Sequence, residues 1–145
     1  MGKKEIDDRF KKFGTVSFTA TSRVNDFIDY LENGKVMGTR CNRCNLDFFP
    51  PRADCCSCFE TGLEWFDASK DTGRLATFTK MKYGPVGFEN DLPYTIAVVD
   101  FGSYKIFGRI SKEIDDQAVA IGMEMRVAAN RIDDDRLNFV FEKAG

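Results

Sequence analysis

Five cysteines crowded into eighteen positions constrain this chain more than any other feature. The stretch "CNRCNLDFFPPRADCCSC", residues 41–58, holds every cysteine of the 145-residue sequence. It contains two C-x-x-C pairs, Cys41 with Cys44 and Cys55 with Cys58, on either side of Pro50-Pro51. A redox C-x-x-C sits at the start of a helix in a βαβ unit, and no helical periodicity lies between these pairs. Each pair instead supplies two thiolates from one tight turn, and two such turns close a tetrahedron around Zn²⁺. Iron in the same four-cysteine shell is the main competitor. Cys41, Cys44, Cys55 and Cys58 are therefore expected to hold one structural zinc per chain. Four protein ligands leave no open coordination position, so the ion is expected to hold shape and not to activate water. Asn45 follows the first pair where a left-handed residue is often needed, and Asn is the next best choice after Gly. Cys56 is the odd thiol; with no evident base beside it, it reads as a bystander.

The sequence has no histidine. That removes Ser-His and Cys-His nucleophiles, most general acid–base schemes at neutral pH, and imidazole-ligated catalytic zinc. Residues 1–62 carry ten Lys/Arg against nine Asp/Glu, and residues 63–145 carry eleven against fourteen. The second part is thus net negative, unlike the basic footprint of a nucleic-acid binder. No apolar run is long enough to cross a bilayer, and the charged start "MGKKEIDDRFKK" lacks the apolar stretch of a signal peptide. A cytoplasmic protein is expected, in which reduced cysteines bind metal more often than each other.

Along the chain, Ile6, Phe10 and Phe13 have helical spacing, with Gly14 as a stop. "TVSFTA" (15–20) alternates as an edge strand or extended arm. "TSRVNDFIDYLENG" places Val24, Phe27, Ile28 and Leu31 on one helical face, with Thr21 or Ser22 as N-cap and Asn33-Gly34 as the stop. Beyond the cysteines the pattern turns to strands at 63–68, 73–83, 94–101, 104–110, 123–129 and 137–142, with a tight hairpin at Gly102-Ser103. Ile114, Ala118 and Ile121 show helical spacing in one connection. About five strands with one short helical connection suit a small closed barrel of the OB type. The Gly- and Pro-rich loop 84–93 is where such a barrel places contacts. The expected architecture is mainly β: an N-terminal helical arm (1–36), a zinc ribbon (37–62) and a five-stranded OB-fold domain (63–145).

A helix, then "GTRCNRCNLDFFPPRADCCSC", then a barrel containing "LPYTIAVVDF" and "AIGMEMRV", resembles one family. It is similar to the acyl-CoA-associated OB-fold proteins with an N-terminal rubredoxin-like zinc ribbon, over residues 24–142. The sharpest matches are Arg40-Cys41-x-x-Cys44, Phe49-Pro50-Pro51-Arg52 and Cys55-x-x-Cys58, with Leu92-Pro93-Tyr94 and Ile121-Gly122-Met123 as secondary ones. Asn45 stands where the family often has Gly, and Cys56 where it often has Pro; neither change removes a ligand. The resemblance implies a non-catalytic accessory subunit in a hetero-oligomer with a thiolase-like catalytic subunit. The larger subunit would carry the nucleophilic Cys and the His bases, and this chain would help to assemble or cover its CoA-thioester site.

A shared CoA site needs cations for phosphates and apolar or aromatic surface for the adenine or acyl group. The candidates for CoA or partner contact are Arg40, Arg43 and Arg52, Phe48 and Phe49, Lys80 and Lys82, and Tyr83 and Phe88. An ordinary solvated surface is the competing reading for the cations, and simple packing for the phenylalanines. Two other functions compete with the accessory subunit. Zinc ribbons and OB barrels also bind single-stranded nucleic acid, against which the net negative barrel argues. A small enzyme using Cys56 or the Asp115-Asp116 pair is the other. Neither a nucleic-acid partner nor a membrane is expected.

Overall fold

The computed structural model describes residues 7–15, 22–133 and 136–144. Ile6, the alternating residues Val16, Phe18 and Ala20, and Thr21 lie outside the described residues. Near the start, a 3₁₀ turn at Arg9–Lys12 replaces the expected helix. The turn goes no further because the Gly14 N–H donates to the Leu137 carbonyl at 2.7 Å, which ties the arm to a distant strand. Phe10 and Phe13 still share a face, with ring centroids 5.9 and 5.7 Å from that of Phe27.

Phe27 belongs to helix α1, Asp26–Glu32, which buries Phe27, Ile28 and Leu31 as the spacing predicts. The N-cap is Asn25, not Thr21 or Ser22. Ser22 instead accepts a hydrogen bond from the Val24 N–H at 3.1 Å, closing a turn ahead of the helix. The stop falls as expected, with Asn33 as C-cap and Gly34 in the left-handed region.

Three strands follow: β1 (Met37–Cys41), β2 (Leu46–Phe48) and β3 (Glu64–Asp67). They form an antiparallel sheet in the order β2-β1-β3. The strand expected at 63–68 is thus present, and its partner is β1. Gly38 permits this packing, because a Cβ there would lie 2.6 Å from the Phe48 carbonyl oxygen and 2.6 Å from Phe66 Cζ.

The barrel is built from β4 (Gly73–Met81), β5 (Tyr94–Asp100), β6 (Lys105–Ile110), β7 (Glu124–Arg131) and β8 (Leu137–Lys143). It closes in the order β4-β5-β6-β8-β7, with β7 returning to β4. Every pairing is antiparallel except β6 with β8. This is the five-stranded OB topology. Alternation sets the interior: in β7, Met125 and Val127 are buried while Glu124 and Arg126 are exposed. Gly102 takes a positive φ in the hairpin, and the Phe101 N–H donates to the Tyr104 carbonyl at 2.9 Å.

The helical spacing in residues 111–123 yields only a 3₁₀ turn, Asp116–Ala118, capped by the Asp115 carboxylate accepting from the Gln117 N–H. Ile121 is exposed, so the segment has too little buried face to support a longer helix. Helix, ribbon and barrel share one apolar core. The Phe49 ring on the ribbon meets Phe139 of β8 at 5.3 Å and Phe27 of α1 at 6.1 Å.

Candidate metal centre

The two C-x-x-C turns repeat one backbone design. The Asn45 N–H donates to the Cys41 carbonyl at 2.7 Å, and the Phe59 N–H to the Cys55 carbonyl at 3.0 Å. Asn45 is left-handed, as expected from its place after the first turn, with φ 57°. Both turns present their sulfurs to one point: the four Sγ atoms of Cys41, Cys44, Cys55 and Cys58 lie within 4.8 Å of one another. Cys41 Sγ and Cys58 Sγ are 3.6 Å apart. That exceeds a disulfide bond, and no disulfide is formed. It agrees with the edge of about 3.8 Å in a tetrahedron with Zn–S bonds of about 2.3 Å. Cys41 and Cys55 are buried, and Cys44 and Cys58 half-buried.

The thiols are shifted unevenly, Cys55 down and Cys41 and Cys58 up. Backbone N–H groups, that of Cys58 foremost, draw the Cys55 thiol down to about 7. Burial pushes the Cys41 thiol up. Four thiolates at this spacing repel one another, and a divalent ion in their midst removes the conflict. The donor set therefore fits a closed four-sulfur metal site. Cys56 faces outward on the second turn, in a shallow cleft it shares with Arg23, Pro51 and Arg52.

The other candidate residues fall into a ribbon group and a barrel group. Arg40 Nε donates to Asp47 at 2.5 Å, and its guanidinium lies over the Phe66 ring. Asp47 also accepts from Ser103 Oγ at 2.5 Å, so this network joins the ribbon to the barrel hairpin. Arg43 forms a loose exposed pair with Glu60 at 3.7 Å. Arg52 lies over Phe48, and Phe49 is part of the shared core. On the barrel, Lys80 pairs with Asp116. Lys82 and Tyr83 are exposed beyond the end of β4, whereas the Phe88 ring packs against Tyr94.

A second concavity lies at the loop where contacts were expected, with the candidate Phe88 in its wall. It measures about 600 Å³ and opens on the outer face of β5 and β6, under loop 84–93 and the arm at Phe10 and Phe13. Arg109 sits at its edge, 3.0 Å from Asp91, with its guanidinium 4.2 Å from the centroid of Tyr94.

Residues 29–64 match the family described as "ChsH2, rubredoxin-like zinc ribbon domain", and residues 65–130 match "ChsH2, C-terminal OB-fold domain". A "DUF35 domain-containing scaffold protein" of Methanocaldococcus jannaschii is 31% identical over 104 residues, covering 69% of this chain and 71% of that protein. This chain belongs to the DUF35 family. A second DUF35 scaffold protein, from Pyrococcus furiosus, is 27% identical over 103 residues, covering 71% of this chain and 74% of that protein. Among solved structures, the "Ltp2-ChsH2(DUF35) aldolase" shares the fold with a TM-score of 0.70, at 22% identity, over 88% of this chain and 99% of that one. A DUF35 protein of unknown function from Sulfolobus solfataricus aligns with a TM-score of 0.55, at 20% identity, over 86% of this chain and 90% of that one.

Within this DUF35 chain, sequence reasoning missed Arg109 and Phe139 at the concavity; it had Phe107 only as a ring that could stack on bases, Tyr94 only as part of the Leu92-Pro93-Tyr94 motif, and Asp91 only as part of the contact loop 84–93. One signal was available. In β6, Phe107 and Arg109 alternate with the buried Ile106 and Ile110, so an aromatic ring and a cation stand together on the outward face.

Proposed function

We propose that this DUF35 chain is a non-catalytic accessory subunit of a thiolase-type acyl-CoA acyltransferase complex. It carries one structural Zn²⁺ on Cys41, Cys44, Cys55 and Cys58. It helps to assemble or cover the CoA-thioester site of a catalytic partner, in the cytoplasm. The observation that carries this reading is the closed four-sulfur centre in a chain with no histidine. When bound, the metal supplies a cross-link between the two turns. The turns then hold β1, β2 and the connection to β3 in place, and no substrate position remains on the ion.

Two further observations support a partner. Tyr83, Val86, Phe107 and Phe59 are large apolar or aromatic side chains left exposed, and such surface commonly marks an interface. The relatives are scaffold proteins by name, and the aldolase that shares the fold is named as a pair with a DUF35 component. Arg43, Arg52, Lys82 and Tyr83 are exposed and available for CoA or partner contact. Arg40 and Phe49 contribute through the ribbon they brace.

A single-stranded nucleic-acid module is the second reading, favoured by Phe107, which is 64% exposed on the strand face that OB folds use for binding. The pairing of Arg109 with Asp91 weakens it, because stacking rings need cations to track the phosphates. The test is steady-state acyl-CoA thiolysis by the pure zinc-loaded chain, beside a titration of labelled single-stranded DNA at low salt. Neither turnover nor salt-sensitive binding is expected. Turnover lost on Cys56→Ser would make the chain an enzyme, and salt-sensitive DNA binding would make it a nucleic-acid module.

A further inference from the structure

The concavity on the β5–β6 face has the attributes of a small-molecule site. Its volume of about 600 Å³ falls within the range of ligand pockets. Four separate elements wall it: the arm with Phe10 and Phe13, the end of β4 with Met81, the loop with Pro85 and Phe88, and the strands with Ile96, Phe107 and Phe139. Aromatic side chains dominate these walls. Phe139 is seated directly on the backbone of Gly108, where a Cβ would come within 2.9 Å of its ring. That close approach keeps the floor flat and apolar.

The polar groups fix the character of the ligand. Arg109 is the one cation on the wall among the described residues. Its charge is already met by Asp91 at 3.0 Å, and Asp91 also accepts from Thr15 Oγ1. The pair is largely withdrawn from solvent, with side-chain exposures of 20% and 17%. An anionic ligand would have to displace Asp91 from a partly desolvated pair. The Asn138 amide oxygen is likewise engaged, accepting from Asn130 at 2.8 Å. What remains is an aromatic-lined recess with guanidinium N–H groups at one edge that can meet a neutral carbonyl oxygen.

We propose that this recess binds an uncharged, ring-bearing apolar group, with Arg109 meeting a carbonyl at its edge. The acyl end of a thioester has this chemistry, an assignment that rests on the accessory-subunit reading above; the neutral apolar site itself does not. A strand of nucleic acid is disfavoured by the lack of an unpaired cation on the wall.

The test uses the full chain loaded with zinc and the neutral probe N-phenyl-1-naphthylamine, followed by its fluorescence. Saturable binding of one probe per chain is expected. Met81→Trp and Ile96→Trp each place an indole in the recess and are expected to abolish binding, with zinc content and thermal unfolding used to confirm folding. Ile121→Ser, at an exposed position outside the recess, is expected to leave binding unchanged. The anionic probe anilinonaphthalene sulfonate is expected to bind more weakly than the neutral one. Asp91→Asn, which leaves Arg109 uncompensated, is expected to strengthen anionic binding about tenfold.

No saturable binding, or binding that survives in a folded Trp variant, overturns the proposal. A wild-type preference for the anionic probe overturns its neutral character. Probe binding with no catalytic subunit captured from the native cells would remove the accessory-subunit reading and leave the site standing. Capture of that subunit by a chain that binds no probe would do the reverse.

Discussion

Asn45 and Phe59 occupy the same position in two successive turns, each directly after the second cysteine of its pair. Their φ angles are 57° and 62°, and each donates its N–H to the carbonyl of the first cysteine. Asparagine tolerates this conformation, whereas a bulky aromatic residue is a true outlier there. The Phe59 ring is 79% exposed, so burial does not compensate the chain for the strain. Phe59→Gly is expected to stabilise the zinc-loaded protein by about 1 kcal/mol in urea unfolding. Asn45→Val is expected to destabilise it. A loss of stability in Phe59→Gly would show that the ring contributes more to the isolated chain than its exposure indicates.

Gly38 is a position where volume, not φ, decides. A Cβ would meet the Phe48 carbonyl oxygen, part of the β1–β2 ladder, as well as the Phe66 ring, both at 2.6 Å. A ring can turn aside, but the backbone oxygen cannot move without disturbing the ladder. Gly38→Ala is expected to cost about 1–3 kcal/mol, read as a lower unfolding midpoint at unchanged m-value.

Tyr104 links stability to alkaline pH. Its hydroxyl donates to Asp71 at 2.6 Å, and its ring is buried, stacked on Phe101. Burial, followed by the Asp71 carboxylate, raises its pKa far above the ordinary value near 10. The folded chain therefore holds this proton after the unfolded chain has released it. Its contribution is complete below about pH 10 and declines as pH rises above that. Tyr104→Phe is expected to flatten the stability profile above pH 10, as followed by thermal unfolding. An unchanged alkaline limb would sink this assignment.

Asp47 does the reverse at the acid end. The Arg40 guanidinium, foremost through its hydrogen bond, holds the carboxyl below the ordinary carboxylate range, and Ser103 adds a further donor. The Asp47 side chain is 6% exposed. Its contribution is complete above about pH 4 and is lost as pH falls through the lower folded-state value. Asp47→Ala strands the Arg40 fork and releases Ser103, and is expected to cost about 1–3 kcal/mol at neutral pH. Hydrogen exchange is expected to quicken in β2 and in the Gly102-Ser103 hairpin together. A change confined to β2 would mean that Asp47 does not join the two units.

The legible parts of this chain were those written in short-range pattern. The paired cysteines, the buried face of α1, the positive φ at Asn45, and the strands of the barrel all follow from spacing over a few residues. Strands β1 and β2 were harder, because Gly38, Thr39 and Arg40 carry no clear alternation and the cysteines dominate the segment. The start of α1 was hard to place because Asn25 makes no side-chain cap there, its amide donating instead to the Ser22 carbonyl. The surface candidates were chosen by residue type alone. The fold gives Arg40 and Phe49 partners of their own, Asp47 for the exposed Arg40 and Phe139 and Phe27 for Phe49, which residue type does not show. The Arg109–Asp91 pair joins a loop to a strand 18 residues later, and local pattern does not show that pairing.

The central claim is that this chain is a zinc-stapled subunit working on a partner that holds the catalytic groups. The most direct measurement is native mass spectrometry of the tagged chain, purified in mild salt from its source cells without chelator. The account predicts one zinc per chain and a stoichiometric thiolase-fold partner in the same particle. A chain that flies alone or with nucleic acid, or one that carries no metal, would contradict it.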